Sequence, residues 1–200
     1  MILEPAYFDE MYAASDDPWG LATRWYERRK YAITLAMLPD ERYEDAFEAG
    51  CSVGVMTEQL GRRCSRLLSC DLSDVAVEAA QRRAGGQSGV RVEQRVLPRD
   101  WPQGKFDLIV FSEFLYYLGG DDLDGTLSMS AAALRPGGTL LAVHWRHPVP
   151  EYPRTGDDVH QVLAGQPGLS RLAEHREADF LAEVYRCGSP VSVAQATGLV

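Results

Sequence analysis

The chain has 200 residues, which is enough for one domain with a sizeable core. Its residues are 46% hydrophobic and 24% charged, an ordinary balance for a folded globular protein that excludes wholesale disorder. Acidic residues outnumber basic ones by 29 to 20, so the net charge of -9 disfavours nucleic acid and favours a neutral or cationic small molecule as partner.

The sequence predicts a cytoplasmic protein that does not enter a membrane. It contains no run of about 18 apolar residues, and its first segment, MILEPAYFDEMY, has no basic side chain of the kind that export and transit peptides carry. The cysteines form neither a CxxC pair nor a metal-ligand pattern, so we expect reduced thiols and no bound metal. No heptad or apolar stripe indicates an oligomeric state.

Residues 1–40 are predicted to form a helical cap. Apolar positions between residues 5 and 38 recur at helical spacing, and the turn DDPWG divides them into two helices, the second ended by Pro39. We expect a single domain over residues 1–200, with an α/β core over 41–188 and a short tail over 189–200.

From residue 43 onward, short apolar runs alternate with helical patterns, which is typical of a parallel sheet covered by helices on both faces. The runs are DAFEAG, SRLLSCD, VRVEQRV, FDLIVFSEF and GTLLAVHW. Helices are predicted between them near 54–63, 73–84 and 122–134, and LRPGG is interpreted as a helix stop with a tight turn.

The end of the chain departs from this alternation of strands and helices. A helical pattern, DDVHQVLAG, precedes two strand-like runs, SRLAEHREA and DFLAEVYRC, with almost nothing between them. So short a connection permits only an antiparallel hairpin, because a parallel crossover needs about a dozen residues or more. The charged run HREADF at the hairpin turn is expected to be solvated.

The loop after the first strand has the features of an adenosine site. Gly50 and Gly54 allow a tight turn and a close approach to a ligand, although Ser52 stands where a dinucleotide fingerprint has its second glycine. Asp71 closes the second strand, where a carboxylate accepts hydrogen bonds from both ribose hydroxyls. The alternative for Asp71 is a helix cap, a role for which Ser73 competes.

Two further strand ends carry candidate ligands. Asp100 follows the third strand and is expected to accept the adenine amino group while Trp101 stacks on the ring; the alternative is a surface turn. Ser112 and Glu113 close the fourth strand at the same edge of the sheet.

These residues together resemble a known family. The segments EAGCSVG, FDLIVFSEFLYYL and LRPGGTLLAV look like those of class I S-adenosylmethionine (SAM)-dependent methyltransferases. The N-terminal DPWG, the segment WYERRKY and the later HWRHP resemble the nodulation protein S (NodS) type in particular. The likeness extends from about residue 7 to about residue 188.

The resemblance implies a Rossmann-like fold with seven strands in the order 3-2-1-4-5-7-6, strand 7 being antiparallel. It implies SAM as cofactor, S-adenosylhomocysteine (SAH) as product and no metal, with Ser52 replacing the middle glycine of the family loop. The activity implied is N-methylation of an amino group in an aminosugar or specialised metabolite, as for the deacetylated chitin oligosaccharide of the NodS type. The implied cofactor contacts are Tyr12, Trp19, Glu48, Gly50, Cys51, Ser52, Gly54, Asp71, Leu72, Asp100, Trp101 and Ser112.

An amine must lose a proton before it attacks a methyl group, so a base of near-neutral pKa is expected beside the acceptor. His144, at the end of the fifth strand, is the predicted base or orienting group, with a structural role as the alternative. Glu113 is interpreted either as an ammonium contact or as a cofactor-adjacent wall. The predicted substrate contacts are Tyr116, Tyr117, Trp145 and Arg146.

The N-terminal aromatic residues also have two interpretations. Tyr12, Trp19 and Trp25 are candidates for a lid whose rings attract the sulfonium. Trp25, Tyr26 and Tyr31 lie at helical spacing, which equally suits core packing. The loop position of Trp19 favours the lid for that residue.

Two other functions are also compatible with the sequence. One is a catalytically silent protein that binds SAM or SAH and serves a partner enzyme. The other is an NAD-dependent oxidoreductase, which the missing glycines and the closing hairpin disfavour.

Overall fold

A seven-stranded sheet with strand order β3-β2-β1-β4-β5-β7-β6 organises the chain, as the resemblance implies. The computed structural model describes residues 5–200, so residues 1–4 of the predicted cap lie outside the described residues. The strands are β1 (Tyr43–Ala49), β2 (Cys64–Asp71), β3 (Val90–Gln94), β4 (Phe106–Ser112), β5 (Leu134–Trp145), β6 (Leu169–Arg176) and β7 (Phe180–Cys187).

The helices between the strands lie close to the positions that the sequence predicts. They are α1 (Pro5–Ala14), α2 (Trp25–Ala36), α3 (Val55–Gly61), α4 (Asp74–Ala84), α5 (Gly120–Ala133), α6 (Gly156–Ala164) and α7 (Val193–Ala196), with a 3-10 turn at Leu115–Tyr117. Among the described residues, no helix combines the length and the apolar character needed to cross a bilayer.

The central strands are buried on both faces, which explains why their sequences lack polar alternation. Along β4, Leu108 and Val110 pack on one side with α3 and α4, whereas Ile109 and Phe111 pack on the other side with α5 and α6. This alternation follows from the two-residue period of a strand. At the ends of these strands, each side chain therefore faces either the side of α3 and α4 or the side of α5 and α6.

The hairpin of β6 and β7 closes the sheet. β7 pairs antiparallel with both β5 and β6, with Trp145 opposite Phe180 at one end. The turn is not simply solvated as expected, because Phe180 is fully buried and Glu177 pairs with Arg29 of α2 at 2.8 Å. The hairpin turn therefore contacts the helical cap.

Two arginines fix the end of α2 to the sheet. Arg63 donates to the carbonyl oxygens of Leu35, at 2.6 Å, and of Asp40. Arg186 of β7 binds both carboxylate oxygens of Asp40, at 2.6 and 2.7 Å. The position of α2 thus depends on residues from both halves of the core.

Candidate functional site

A cavity of about 890 Å³ lies at the carboxyl edge of the sheet. Its floor comes from the ends of β1, β2 and β4, and residues of α1, α2 and the segment between them line its other side. Most predicted site residues line it, namely Tyr12, Trp19, Glu48, Gly50, Cys51, Ser52, Asp71, Leu72, Ser112, Glu113, Tyr116, Tyr117 and Trp145. Five others do not: Gly54, Asp100, Trp101, His144 and Arg146.

The loop after β1 turns sharply beneath the cavity. Gly50 has φ +71°, and the N–H groups of Gly50 and Cys51 both donate to the Cys70 carbonyl, at 2.8 and 2.9 Å. Ser52 also has a positive φ, of 47°, which is uncommon for a residue with a side chain. Its hydroxyl lies 2.7 Å from the hydroxyl of Tyr12 on α1. The serine at this position therefore joins the loop to the helical cap.

Asp71 lies at the end of β2 with one backbone contact on each carboxylate oxygen. Oδ2 accepts the Ser52 N–H at 2.9 Å, and Oδ1 accepts the Ser73 N–H at 3.1 Å. Burial raises the pKa of Asp71, although these N–H groups act against it. Ser73 occupies the N-cap position of α4 without a side-chain cap bond. The Leu72 N–H also acts on this carboxylate, which has about four acceptor positions and so can still accept a hydrogen bond from a ribose hydroxyl.

Glu48 is buried beneath the loop. Its Oε2 accepts hydroxyl hydrogens from Thr57, at 2.7 Å, and from Ser69, at 2.6 Å. Burial raises its pKa to about 7, despite these two hydrogen bonds. Glu48 is therefore a buried carboxyl beside the cavity that ionises near neutral pH.

Gly54 does not line the cavity, so its predicted cofactor contact is not supported. It begins α3 in the left-handed region, with φ +79°. A Cβ at this position would lie 2.7 Å from Ala80 Cα on α4. The glycine is needed for the close approach of two helices rather than for a ligand.

Asp100 and Trp101 are likewise displaced from the predicted adenine site. Asp100 accepts the Val96 N–H at 3.0 Å and pairs with Arg99, as in the alternative of a surface turn. The Trp101 ring packs on Phe47 with centroids 5.3 Å apart, in the layer of α5 and α6. Neither residue lines the cavity, although their loop does so through Val96, Leu97 and Arg99.

A buried charge cluster occupies the cavity wall formed by α2. Lys30 Nζ lies 2.8 Å from Glu27 Oε2 and 2.7 Å from Glu113 Oε1, and Lys30 is only 2% exposed. Burial disfavours the lysine cation, but the two carboxylates prevail and raise the pKa of Lys30. Glu27 and Lys30 were missed as site residues. Their signal was the three-residue spacing in WYERRKY, which places both on one helix face.

Glu113 is held by donors on both of its oxygens. Besides Lys30 on Oε1, its Oε2 accepts the Tyr116 hydroxyl at 2.7 Å and the Trp145 N–H at 2.8 Å. Its backbone has φ +54°, in the left-handed region. Glu27, in contrast, is buried with Lys30 2.8 Å from its Oε2, and burial raises the pKa of Glu27 although Lys30 opposes this. Glu27 therefore has fewer partners than Glu113, and it also lines the cavity.

His144 is not placed to act as the predicted base. It is 0% exposed, and its Nε2 accepts the Leu115 N–H at 3.2 Å. Burial, together with the charge of the nearby Lys30, lowers the pKa of His144 well below the ordinary value. Arg146 is also withdrawn from the substrate, because it binds Asp157 at 2.7 Å. His144 shares the strand face of Leu140 and Ala142, which α6 covers.

Aromatic rings form two parts of the cavity wall. Trp19 packs edge-on against Tyr12 with centroids 5.6 Å apart, next to the glycine loop. On the far side lies the tyrosine wall, Tyr116, Tyr117 and Tyr152; Tyr152 stacks on Tyr116 at 5.0 Å. Trp25 belongs to neither, because it does not line the cavity; it is 68% exposed at the start of α2, so the expectation of core packing is wrong for it. Tyr26 and Tyr31 line the cavity.

Metal-ligating side chains are not grouped at this edge: within residues 5–200, no three His, Cys, Asp or Glu side chains are arranged to hold a metal ion. The cavity instead offers a carboxylate that can still accept a hydrogen bond, a loop that approaches a ligand closely at Gly50 and aromatic faces. These groups fit a nucleoside that carries a cationic substituent.

Comparison with known proteins points to one family. The family model for Nodulation protein S (NodS) matches residues 9–151. Nodulation protein S of Bradyrhizobium diazoefficiens is 38% identical over 110 residues, covering 54% of this chain and 53% of that protein. The chain spans about half the length of the curated relatives it matches.

Solved structures agree in fold. A putative methyltransferase from Pseudomonas syringae has 47% identity and a TM-score of 0.73 over 82% of this chain and 99% of its own. The N-methyltransferase NodS from Bradyrhizobium japonicum WM9, in complex with SAH, has 24% identity and a TM-score of 0.83 over 92% and 98%. Since the family model spans well over half of the residues, the chain belongs to the NodS family and has the class I methyltransferase fold.

Proposed function

We propose that this chain is a SAM-dependent methyltransferase that acts on an amino group of a small molecule, such as an aminosugar or a specialised metabolite. The observation that carries the proposal is the Asp71 carboxylate at the end of β2, which lines the cavity beside the glycine loop. NodS family membership and the SAH complex of a protein with this fold support the choice of cofactor.

SAM supplies an activated methyl group on a sulfonium, which an attacking atom displaces in line with the sulfur. The protein then has to align two reactants and exclude water, which is where most of the rate acceleration of such a step arises. In this proposal Asp71 holds the ribose hydroxyls, and the faces of Tyr12 and Trp19 attract the sulfonium charge.

The acceptor is proposed to enter between α2 and the tyrosine wall. Two carboxylates and one ammonium give the Glu27–Lys30–Glu113 cluster a net negative charge, which attracts a protonated amine. Both oxygens of Glu113 are already occupied, so Glu27 is the group proposed to take the amine proton. The amine lone pair then forms the N–C bond as the C–S bond breaks, and the sulfur keeps the bonding electron pair.

The proposal extends to the domain organisation, location and partners of the protein. We propose a single domain in which residues up to 40 cap the cavity and residues 41–188 form the core. We place the protein in the cytoplasm, acting on a small molecule rather than on nucleic acid or a membrane. The net charge of -9 supports the choice against nucleic acid.

Calorimetric titration with SAH tests the cofactor, with NAD as the comparison ligand and Asp71→Ala as the matched variant. We expect micromolar binding of SAH, no binding of NAD and a loss of roughly tenfold or more in the variant, because charge-assisted hydrogen bonds disappear. Equal SAH affinity in both proteins would contradict the ribose assignment.

Methyl transfer is then tested with labelled SAM and three probe amines: glucosamine tetrasaccharide, spermidine and tyramine. We expect one class to be methylated on nitrogen. Binding of SAH without methyl transfer to any of the three probes would favour the silent partner protein over an enzyme.

A further inference from the structure

Behind the cavity, outside its lining, runs a buried series of hydrogen bonds that the proposed methyl transfer does not use. The Leu115 N–H meets His144 Nε2 at 3.2 Å, and His144 Nδ1 lies 3.0 Å from His160 Nε2. His160 Nδ1 lies 2.6 Å from Glu183 Oε2. We name these four groups, Leu115, His144, His160 and Glu183, the buried relay.

The direction of every bond in the relay follows from its first member. A backbone N–H can only donate, so His144 Nε2 must be an acceptor and its proton sits on Nδ1. That Nδ1–H then donates to His160 Nε2, which leaves the His160 proton on Nδ1, directed at the carboxylate of Glu183. A doubly protonated His160 would require His144 to accept on both nitrogens, which a neutral imidazole does not do. Both rings are therefore neutral.

The far end of the relay is an anchored carboxylate. Glu183 Oε2 also accepts the Tyr185 hydroxyl at 2.8 Å, and Oε1 pairs with Arg171 of β6 at 2.6 Å. Glu183 is buried, whereas Arg171 is half exposed. Donors that all point toward one ionised group polarise one another, so each bond strengthens the next.

The near end of the relay is the turn that carries the acceptor side of the cavity. Leu115 begins the 3-10 turn that directly follows Glu113 and Phe114 and contains Tyr116 and Tyr117. The Tyr116 ring packs edge-on against the His144 ring, with centroids 5.3 Å apart, and its hydroxyl donates to Glu113. His144 thus touches this turn twice, once through the backbone and once through an aromatic ring.

We propose that the buried relay is a positioning device: His144, oriented by His160 and Glu183, holds the 3-10 turn so that Tyr116 and Glu113 keep their places in the acceptor wall. The positioning role rests on the proposed methyl transfer, whereas the relay itself does not. It makes His144 a positioning residue and not the base expected from the sequence.

Long-range proton–nitrogen NMR of the unmodified protein tests the relay directly. We expect His144 and His160 each to carry a single ring proton, on Nδ1. An imidazolium at either residue, or a proton on His144 Nε2, would overturn the proposal. This result needs no variant and holds even if a relay variant fails to fold.

Three variants test the holding function. His144→Leu removes the acceptor for the Leu115 N–H, and His144→Gln restores an oxygen near the place of Nε2. His175→Gln changes a partly buried histidine of β6 outside the relay. We expect hydrogen exchange at the Leu115 amide to accelerate roughly tenfold or more in the leucine variant, because a buried donor loses its partner. Exchange should return close to normal in His144→Gln and stay unchanged in His175→Gln.

The same variants separate the relay from the proposed function. SAH affinity should stay within roughly twofold in all three, whereas kcat for methyl transfer to glucosamine tetrasaccharide should fall roughly tenfold in His144→Leu and recover in His144→Gln. Unchanged exchange in His144→Leu, or no recovery in His144→Gln, would refute the relay. Failure of the unmodified protein to bind SAH would refute the proposed function alone, because the NMR and exchange results do not depend on it.

Discussion

Replacing Glu48 by glutamine is expected to remove a pH dependence from the stability of the fold. The Glu48 carboxyl is buried beneath the glycine loop, and its pKa rises from the ordinary 4.5 to about 7. A carboxyl with a raised pKa binds its proton more tightly in the folded than in the unfolded protein. Its contribution is therefore complete below pH 4.5 and is lost as the pH rises through 7.

The size of the effect follows from this shift. Since one pKa unit corresponds to 1.36 kcal/mol, the shift amounts to about 3 kcal/mol between the two ends of the pH window. Glutamine resembles the protonated carboxyl and still offers an oxygen to Thr57 and Ser69. The variant should match the unmodified protein near pH 4.5 and exceed it in free energy of unfolding by up to about 3 kcal/mol at pH 8.

Urea denaturation followed by tryptophan fluorescence measures this difference at intervals from pH 4.5 to 8. Glu78→Gln, on the exposed face of α4, is the control and should give a difference that does not vary with pH. The comparison between variants cancels the other titrating groups. A constant difference for Glu48→Gln across the window would show that the reasoning from burial is wrong.

Three further substitutions test separate parts of the site. Glu27→Gln should lower the rate of amine methylation at least roughly tenfold with SAH affinity unchanged, and an equal loss of SAH affinity would reassign Glu27 to the cofactor. Gly54→Ala should destabilise the fold by about 2–4 kcal/mol, because its Cβ meets Ala80 and its φ is positive, while the folded protein binds SAH normally. Lost binding at full stability would restore Gly54 as a ligand contact. Trp19→Ala should weaken SAM binding roughly two- to thirtyfold and SAH binding less, since the sulfur of SAH is neutral and only SAM presents a sulfonium to the ring; equal losses would contradict a cation–π contact.

The sheet and its edge were predictable because they depend on local pattern. Unbroken apolar runs mark strands buried on both faces, and a connection of a few residues forces β6 and β7 to be antiparallel. Gly50 and Asp71 are predictable for the same reason, since each directly follows or ends a strand at the carboxyl edge. Asp100 shows the limit of this reasoning, because it lies beyond the end of β3 by a loop whose path the sequence does not specify.

The errors concern which layer a side chain enters and how a helix is rotated. His144 lies at the correct edge, but the period of β5 turns it toward α6 rather than toward the cavity. Which helix covers that face is a tertiary property. The same holds for α2, where the rotation of the helix buries Lys30 and leaves Trp25 exposed. Spacing shows that two residues share a face but not what that face meets.

The ion pair between Arg186 and Asp40 affects when α2 can be fixed in place during folding. The two residues are separated by 146 positions, and Arg29 and Glu177 are separated by 148. During synthesis, α2 leaves the ribosome early, yet Glu177 lies in the turn between β6 and β7 and Arg186 lies on β7. A nascent chain that ends before this turn already has the Arg63 bonds to the end of α2, but it lacks the bonds from Glu177 and Arg186. The full attachment of α2 beside the cavity is therefore acquired only after residue 186 has emerged.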